Sequence, residues 1–161
     1  MKILVTGVKG QLGYDVMKVL GQRKIECLGA DIEEFDITDA AATTAFIERY
    51  APDAVIHCSA YTAVDRAEDD PALCERVNVD GARNIAAACQ KIGAKMVYIS
   101  TDYVFDGQGT TPWTPDCKDY KPLNVYGQSK LDGELAVSST LDNYFIVRIA
   151  WVFGKNGKNF I

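Results

Sequence analysis

The sequence predicts an α/β fold in which a doubly wound parallel sheet is covered by helices on both faces. Five short apolar runs rich in β-branched residues alternate with helix-length segments, which is the order typical of parallel sheets. The runs are apolar almost throughout, as expected for strands that are buried on both faces. With 161 residues the chain has the length of a single domain.

Each element follows from a local pattern. The predicted strands cover residues 3–6, 26–30, 54–58, 95–100 and 144–148, and the last of them could extend to Phe153 before a turn at 154–157. The predicted helices cover residues 11–20, 39–50, 72–91 and 125–138, each with helical spacing of apolar residues. Asp39 is a plausible helix start and Gly93 a plausible stop. The longest loop, 106–124, is of a length that is often functional.

Composition excludes several classes of function. The net charge of −5 offers no basic surface to a nucleic acid. The apolar run at the N-terminus is too short for a signal peptide, and no stretch could span a bilayer, so we expect a cytoplasmic protein. The five cysteines are scattered, with no Cys-x-x-Cys pair, which indicates reduced thiols that mostly fill the core rather than a metal site. The only histidine, His57, lies in a strand and is expected to be a buried, hydrogen-bonded residue.

A glycine-rich loop follows the first strand and opens the first helix. Gly7, Gly10 and Gly13 are spaced Gly-x-x-Gly-x-x-Gly, with Gln11 and Leu12 between the last two. Such a loop turns sharply, lets a pyrophosphate approach the backbone and packs the helix tightly on the strand. The helix N-terminus adds free amides and a partial positive charge. These features predict a dinucleotide site on a Rossmann fold.

An acidic residue, Asp31, ends the second strand. Acidic residues at this position bind the ribose hydroxyls of adenosine, although Asp31 could also be an ordinary strand-end aspartate. Glu33 and Glu34 follow, with no arginine to receive a 2′-phosphate. We therefore expect NADH to bind at least as well as NADPH.

A tyrosine and a lysine, Tyr126 and Lys130, lie four residues apart on one face of the last helix. Carbonyl reduction needs a proton donor, and an ammonium one turn away should lower the pKa of the tyrosine. Thr101 ends the fourth strand, at the sheet edge where ligands of parallel sheets bind, and could orient a carbonyl oxygen. Tyr14 and Lys18 have the same spacing, but we interpret them as a solvated helix face.

Longer segments resemble the dTDP-4-dehydrorhamnose reductases, a family of extended short-chain dehydrogenase/reductases that make dTDP-L-rhamnose for bacterial cell-surface polysaccharides. The resemblance is carried by residues 7–13, 61–65, 100–107, 122–130 and 148–154, and it runs over the whole chain. It implies reduction of dTDP-4-dehydro-L-rhamnose to dTDP-L-rhamnose by hydride transfer from NADPH or NADH. Tyr126 would be the proton donor, assisted by Lys130 and Thr101.

The resemblance also implies three sets of site residues. The catalytic set is Thr101, Tyr126 and Lys130. The cofactor set is Gly7, Gly10, Gln11, Leu12, Gly13, Asp31, Asp36, Ile37, Ser59, Ala60, Thr62 and Lys130. The sugar-nucleotide set is Val64, Thr101, Asp102, Tyr103, Tyr126 and Trp151. Without the resemblance, Ile37, Val64 and Trp151 could equally be core residues.

The sequence departs from the family in two ways. The third strand leaves through Cys58-Ser59-Ala60-Tyr61, where the family usually has alanines and often a histidine, but the residues remain small. Family chains are also considerably longer, so residues 1–150 are expected to form the dinucleotide-binding domain, and 151–161 to begin a truncated substrate region. Because closure over the substrate excludes water, we expect this chain to bind cofactor with little turnover.

Two other functions stay open at this point. Nucleotide-sugar epimerases and dehydratases share the glycine loop and the Tyr–Lys pair, but they usually retain and recycle NAD. A non-catalytic regulatory subunit, like the β subunit of methionine adenosyltransferase, has the same fold, and fold alone does not decide function. The resemblance further implies that a homodimer can form.

Overall fold

A computed structural model describes residues 1–157, which form a five-stranded parallel sheet. The strands are β1 (Lys2–Thr6), β2 (Glu26–Ala30), β3 (Ala54–His57), β4 (Lys95–Thr101) and β5 (Tyr144–Ile149). Their order is β2-β1-β3-β4-β5, and each pairing is parallel. The predicted α/β fold is therefore confirmed, with strand ends within one residue or two of the sequence pattern.

The extension of the last strand to Phe153 is wrong. β5 ends at Ile149, and Trp151 has a φ of 54°, a left-handed conformation that a strand cannot continue through. An apolar run is compatible with an irregular segment as well as with a strand, so the pattern could not place this boundary. Residues 158–161, the end of the predicted substrate region, lie outside the described residues.

Six α-helices connect the strands of the described part. They are α1 (Gln11–Gln22), α2 (Ala40–Tyr50), α3 (Val64–Asp69), α4 (Pro71–Glu75), α5 (Gly81–Ile92) and α6 (Val125–Thr140). The single helix predicted at 72–91 is instead α4, a π-helical segment at Arg76–Asp80, and α5. Helix α3 was not predicted, because six residues are too few to show an apolar period.

Local chemistry explains where the helices begin and end. The carboxylate of Asp39 accepts hydrogen bonds from the amides of Ala41 and Ala42, at 2.9 and 3.0 Å, and so caps α2. Gly93, with a φ of 72°, ends α5 in the left-handed conformation that glycine adopts without strain. Gly10 precedes helix α1 and provides no side-chain cap, which leaves the first amides of the helix available to a ligand.

The core has a cluster on each face of the sheet and a third, smaller cluster around Val104, Phe105 and Leu131. Alternate residues of β1 point to opposite faces: Leu4 belongs to the larger cluster, with α2, α5 and α6, and Val5 to the cluster on the other face, with α1. Cys74 and Cys89 are buried, and Cys27, Cys58 and Cys117 are partly buried against apolar clusters, in line with the expected core-filling role.

His57 lies at the end of β3 as a core residue. Its Nδ1 is 2.8 Å from the Thr6 hydroxyl, and its pKa is lowered to about 3, first by burial and then by the nearby Lys130. The prediction of a buried, hydrogen-bonded histidine is confirmed. Within the described residues, no helix is long and apolar enough to cross a membrane.

Candidate active site

Two adjoining cavities lie at the carboxyl edge of the sheet. The first, of about 340 Å³, lies over the ends of β1 and β2, and we call it the adenosine cavity. The second, of about 430 Å³, lies between the start of α1, the end of β4 and α6, and we call it the catalytic cavity. Gly10, Cys58 and Ala60 line both. β1 lies between β2 and β3, so the connections leave it in opposite directions, and ligands of doubly wound sheets bind at such a point.

The glycine loop joins the two cavities, and its geometry requires glycine. Gly7 has a φ of 69°, and a Cβ there would lie 2.7 Å from the amide nitrogen of Ser59. A Cβ on Gly13 would collide with the carbonyl oxygen of Gly7. The absence of side chains thus lets β1, β3 and α1 meet closely and leaves the α1 N-terminus open. This arrangement fits the pyrophosphate of a dinucleotide.

Asp31 closes the glycine loop against β2. Its carboxylate accepts hydrogen bonds from the amides of Lys9, at 2.9 Å, and of Ile32, at 3.0 Å. The side chain of Lys9 forms an ion pair with Glu33 beside it. Sequence reasoning considered only arginine at the ends of the second strand and therefore missed Lys9, a cation within the loop that also lines the adenosine cavity.

The remaining cofactor candidates are divided between the two cavities. Asp36 and Ile37 line the adenosine cavity with Ser59, while Thr62 lines the catalytic cavity. Asp36 also accepts hydrogen bonds from the amide and hydroxyl of Thr38, at 2.8 and 2.9 Å. Ile37 packs against the main core as well, so the core and cavity interpretations both apply to it.

The catalytic candidates Thr101, Tyr126 and Lys130 line one wall of the catalytic cavity. Lys130 is 2% exposed, and its Nζ donates a hydrogen bond of 2.8 Å to the carbonyl oxygen of Ile99. The same Nζ lies 4.2 Å from the centroid of the Tyr98 ring. The lysine is thus held in place by backbone and aromatic contacts.

Burial shifts the protonation of both members of the Tyr–Lys pair. Burial lowers the pKa of Lys130 to about 7, against the opposing effect of the Glu134 carboxylate. Burial also raises the pKa of Tyr126, and a hydrogen bond with Thr101 opposes that rise. The net shift of the Tyr126 pKa is thus upward, opposite to the direction expected from the Tyr–Lys spacing, because burial outweighs the hydrogen bond with Thr101. Tyr126 keeps its proton at neutral pH, as a proton donor must.

The sugar-nucleotide candidates face the same cavity. Val64, Asp102, Tyr103 and Trp151 line it together with the catalytic residues. The rings of Tyr103 and Tyr126 meet edge to face, with centroids 5.7 Å apart. Trp151 is 77% exposed, so the interpretation of Trp151 as a core residue does not hold.

Two residues that sequence reasoning missed also belong to this region. Ser100 Oγ is buried, lines the catalytic cavity and has no hydrogen-bond partner among residues 1–157. Asn78, in the π-helical segment, links Tyr61 after β3 to Ser129 on α6. No sequence signal marks Asn78, because its partners lie far away in the chain. A π-helical segment is often found at functional sites.

The second Tyr–Lys pair lies apart from these cavities. Tyr14 is 49% exposed on α1, Lys18 is exposed beside it, and neither lines either cavity. Their interpretation as a solvated face is confirmed. In the described part of the chain, no group of three or more His, Cys, Asp and Glu residues could hold a metal ion.

Comparison with known proteins identifies the relatives of this chain. A dTDP-4-dehydrorhamnose reductase of Streptomyces griseus is 42% identical over 159 residues, which cover 98% of this chain and 52% of that protein. The crystal structure of a dTDP-4-dehydrorhamnose reductase from Clostridium acetobutylicum has a TM-score of 0.95 and 42% identity, and the match covers 99% of this chain and 56% of that chain.

The dTDP-4-dehydrorhamnose reductase of Bacillus anthracis, solved in complex with NADP, has a TM-score of 0.95 and 41% identity, over 99% of this chain and 57% of that chain. The chain thus spans about half the length of these relatives. A family model described as RmlD substrate binding domain matches residues 1–161. The family resemblance is confirmed: the chain belongs to the RmlD substrate binding domain family.

Proposed function

We propose that the protein reduces dTDP-4-dehydro-L-rhamnose to dTDP-L-rhamnose with NADPH or NADH. The observation that carries this proposal is that Thr101, Tyr126 and Lys130 line one cavity, which adjoins the glycine loop. The names of the relatives support the substrate, and the NADP complex of one relative supports the cofactor. Since the chain spans about half of those proteins, the proposal concerns the protein as its gene encodes it.

The two cavities suit the two halves of the cofactor. The adenosine half would lie over Asp31, Asp36 and Ile37, with its pyrophosphate at the start of α1 near Gly10. The nicotinamide half would then enter the catalytic cavity beside Lys130. When bound, the reduced nicotinamide supplies the hydride. Residues 1–150 would form this dinucleotide-binding domain, and the substrate region would begin at 151.

The catalytic residues then have separate roles. Tyr126 donates the proton that the carbonyl oxygen takes up as it is reduced, and its raised pKa keeps that proton available at neutral pH. Thr101, hydrogen-bonded with Tyr126, orients the carbonyl oxygen. Lys130, charged when protonated, stabilises the phenolate that remains and holds the nicotinamide ribose.

The sugar nucleotide would occupy the other side of the catalytic cavity. Asp102 and Tyr103 follow Thr101 directly, so a substrate that they contact lies next to the reacting centre. The exposed Trp151 offers a large apolar surface on the opposite side, and Val64 contributes from α3. Aromatic side chains provide both contact area and orientation for a ring substrate.

The residues that follow β1 and β2 influence whether NADH or NADPH binds more tightly. Asp31 suits the free ribose hydroxyls of NADH, while Lys9 is a cation that could turn from Glu33 to a 2′-phosphate. We therefore propose that both cofactors bind, and that NADH binds at least as well as NADPH.

The test is a cofactor-oxidation assay with dTDP-4-dehydro-L-rhamnose, with the product identified by mass spectrometry and NMR. The proposal predicts one equivalent of cofactor oxidised for each equivalent of dTDP-L-rhamnose formed. An epimerase or dehydratase would convert a nucleotide sugar without net oxidation of the cofactor. A regulatory subunit would give no turnover and would co-purify with a partner enzyme. Either result would reject the proposal.

A further inference from the structure

A largely buried ion pair lies outside the lining of the catalytic cavity. Arg148 on β5 donates two hydrogen bonds to the carboxylate of Glu134 on α6: Nε to Oε1 at 2.8 Å and Nη2 to Oε2 at 2.6 Å. Glu134 is 3% exposed. A pair of this kind contributes little net stability compared with apolar residues of the same size, because the Glu134 carboxylate loses its hydration and the Arg148 guanidinium loses most of it. Its presence so close to the site suggests an additional role.

Glu134 follows Lys130 by one turn of α6, so their side chains share one helix face. The other titratable groups around Lys130 are His57 and Cys58 at the end of β3, Cys74 on α4, Tyr98 on β4 and Tyr126 on α6. His57 has a pKa of about 3, and burial raises the pKa of Cys58 to about 12, so both are neutral at pH 7. The two tyrosines have raised pKa values.

Among the groups named above, which are otherwise a histidine, cysteines and tyrosines, Glu134 is the carboxylate that favours the charge of Lys130. Burial works against the lysine charge, and the Glu134 carboxylate works in its favour. Arg148 moderates that effect, because its guanidinium neutralises part of the same carboxylate.

The long loop contacts the same arginine. Arg148 Nη2 donates a hydrogen bond of 2.9 Å to the Tyr120 hydroxyl, and the guanidinium lies 5.2 Å from the centroid of Phe105. Phe105 in turn stacks on Trp113 with centroids 4.5 Å apart. The loop that was predicted to be functional is thus joined through Arg148 to the helix that carries the Tyr–Lys pair.

We propose that Glu134 is a positioning residue that keeps the Lys130 ammonium charged, and that Arg148, held by Tyr120, limits this effect by pairing with Glu134. The inference rests on the proposed function, in which charged Lys130 contacts the cofactor and supports proton donation by Tyr126. It predicts opposite effects for the two partners of one ion pair. Loss of Glu134 makes Lys130 lose its proton at lower pH, and loss of Arg148 leaves the carboxylate unpaired and has the reverse effect.

The test uses the protein as its gene encodes it and measures kcat/KM against pH for the Glu134→Gln and Arg148→Gln variants. In the profile of kcat/KM against pH, the high-pH limb is where activity falls as Lys130 loses its proton. We expect this limb to lie roughly one pH unit lower in Glu134→Gln and to lie higher in Arg148→Gln. The values of kcat/KM of the two variants at pH 9 should then differ by at least about ten-fold. A purely structural role predicts that both variants lose stability and activity together with no shift of the limb. Unmoved limbs, or limbs that move in the same direction, would overturn the inference.

A second readout separates this inference from the proposed function. The dissociation constant of NADH against pH should show the same opposite shifts, since Lys130 contacts the cofactor whether or not the substrate turns over. Should Glu134→Gln fail to fold, Glu134→Asp keeps the charge but moves it away from Lys130, and it should shift the limb down by a smaller amount. An unchanged limb in a folded Glu134→Asp variant would count against the inference. If the protein shows no reductase activity but the two variants still shift NADH binding in opposite directions, the proposed function is rejected and the inference about Glu134 and Arg148 is not.

Discussion

The carboxamide of Asn78 forms hydrogen bonds with both the backbone amide and the backbone carbonyl of Tyr61. Oδ1 accepts a hydrogen bond from the Tyr61 amide at 2.8 Å, and Nδ2 donates to the Tyr61 carbonyl at 3.1 Å. The same Nδ2 donates to the Ser129 hydroxyl at 2.9 Å. One buried side chain thus fixes the segment after β3, which lines both cavities, relative to the helix of Tyr126 and Lys130.

We predict that Asn78→Ala weakens both folding and cofactor binding. The substitution removes the hydrogen bonds to the part-buried amide and carbonyl of Tyr61 and to the Ser129 hydroxyl, which should lower the free energy of unfolding by about 2–3 kcal/mol. Asn84→Ala is the matched control, since Asn84 donates one bond of 2.9 Å to the Ile37 carbonyl and should cost about 1 kcal/mol. Urea unfolding measures the stability of the two variants, and titration with NADH measures their cofactor binding. Equal effects of the two variants would contradict the linking role.

Glycine substitutions on α1 test the loop geometry. Gly13→Ala places a Cβ against the Gly7 carbonyl and should raise the dissociation constant of either cofactor by at least about ten-fold. Gly21, on the same helix, has open space around its Cβ position, so Gly21→Ala should leave binding unchanged and stabilise the protein by roughly 0.5 kcal/mol. Fluorescence titration measures the binding. A Gly13→Ala variant that binds like the wild type would show that the loop is not the cofactor site.

Lys9 and Asp31 should control the choice of cofactor in opposite directions. Lys9→Gln removes the cation available to a 2′-phosphate and should weaken NADPH binding by roughly ten-fold, with little change for NADH. Asp31→Asn should weaken NADH more than NADPH, because a ribose hydroxyl loses a charged acceptor. Calorimetric titration of each variant with each cofactor gives four dissociation constants, which are compared with those of the wild type. Parallel losses for the two cofactors in each variant would refute this assignment.

His57 should make the stability depend on pH. Its pKa of about 3 in the folded chain lies well below the value near 6.5 of an unfolded histidine. The unfolded state therefore binds the extra proton between these values, and stability falls as the pH falls below about 6.5, by up to about 1.4 kcal/mol for each pH unit.

The control variant for this prediction is His57→Gln, which removes the only histidine of the chain. Its free energy of unfolding should stay nearly flat from pH 6.5 to 5.5, where the wild type loses stability. The same slope in both proteins, measured by urea unfolding at each pH, would show that His57 is not the group responsible.

Local sequence patterns predicted the strands and most helices because each depends on nearby residues. The glycine loop could be placed for the same reason: β1, the turn and α1 are consecutive in the chain. Every candidate site residue carried over from the family resemblance lines one of the two cavities. Their roles in binding and catalysis stay predictions.

Features that depend on distant residues could not be predicted. Burial under other elements is the largest influence on the pKa of Tyr126 and raises it, so the spacing to Lys130 alone could not give the net direction. The π-helical segment around Asn78 and the pairing of Glu134 with Arg148 each join parts of the chain that show no mutual pattern. The irregular segment after Ile149 was mistaken for a strand because it is apolar, although Ala150, Trp151 and Val152 line a cavity and do not pack in the core.

The most direct test substitutes two tyrosines in the protein as its gene encodes it and follows oxidation of NADPH by dTDP-4-dehydro-L-rhamnose. Tyr126→Phe removes the proposed proton donor and should lower kcat by at least about 100-fold, with cofactor binding retained. Tyr14→Phe changes the pair of the same spacing on α1 and should leave kcat unchanged. If Tyr126→Phe keeps its rate, or if both variants lose activity equally, then Tyr126 is not the proton donor and the proposed mechanism is wrong.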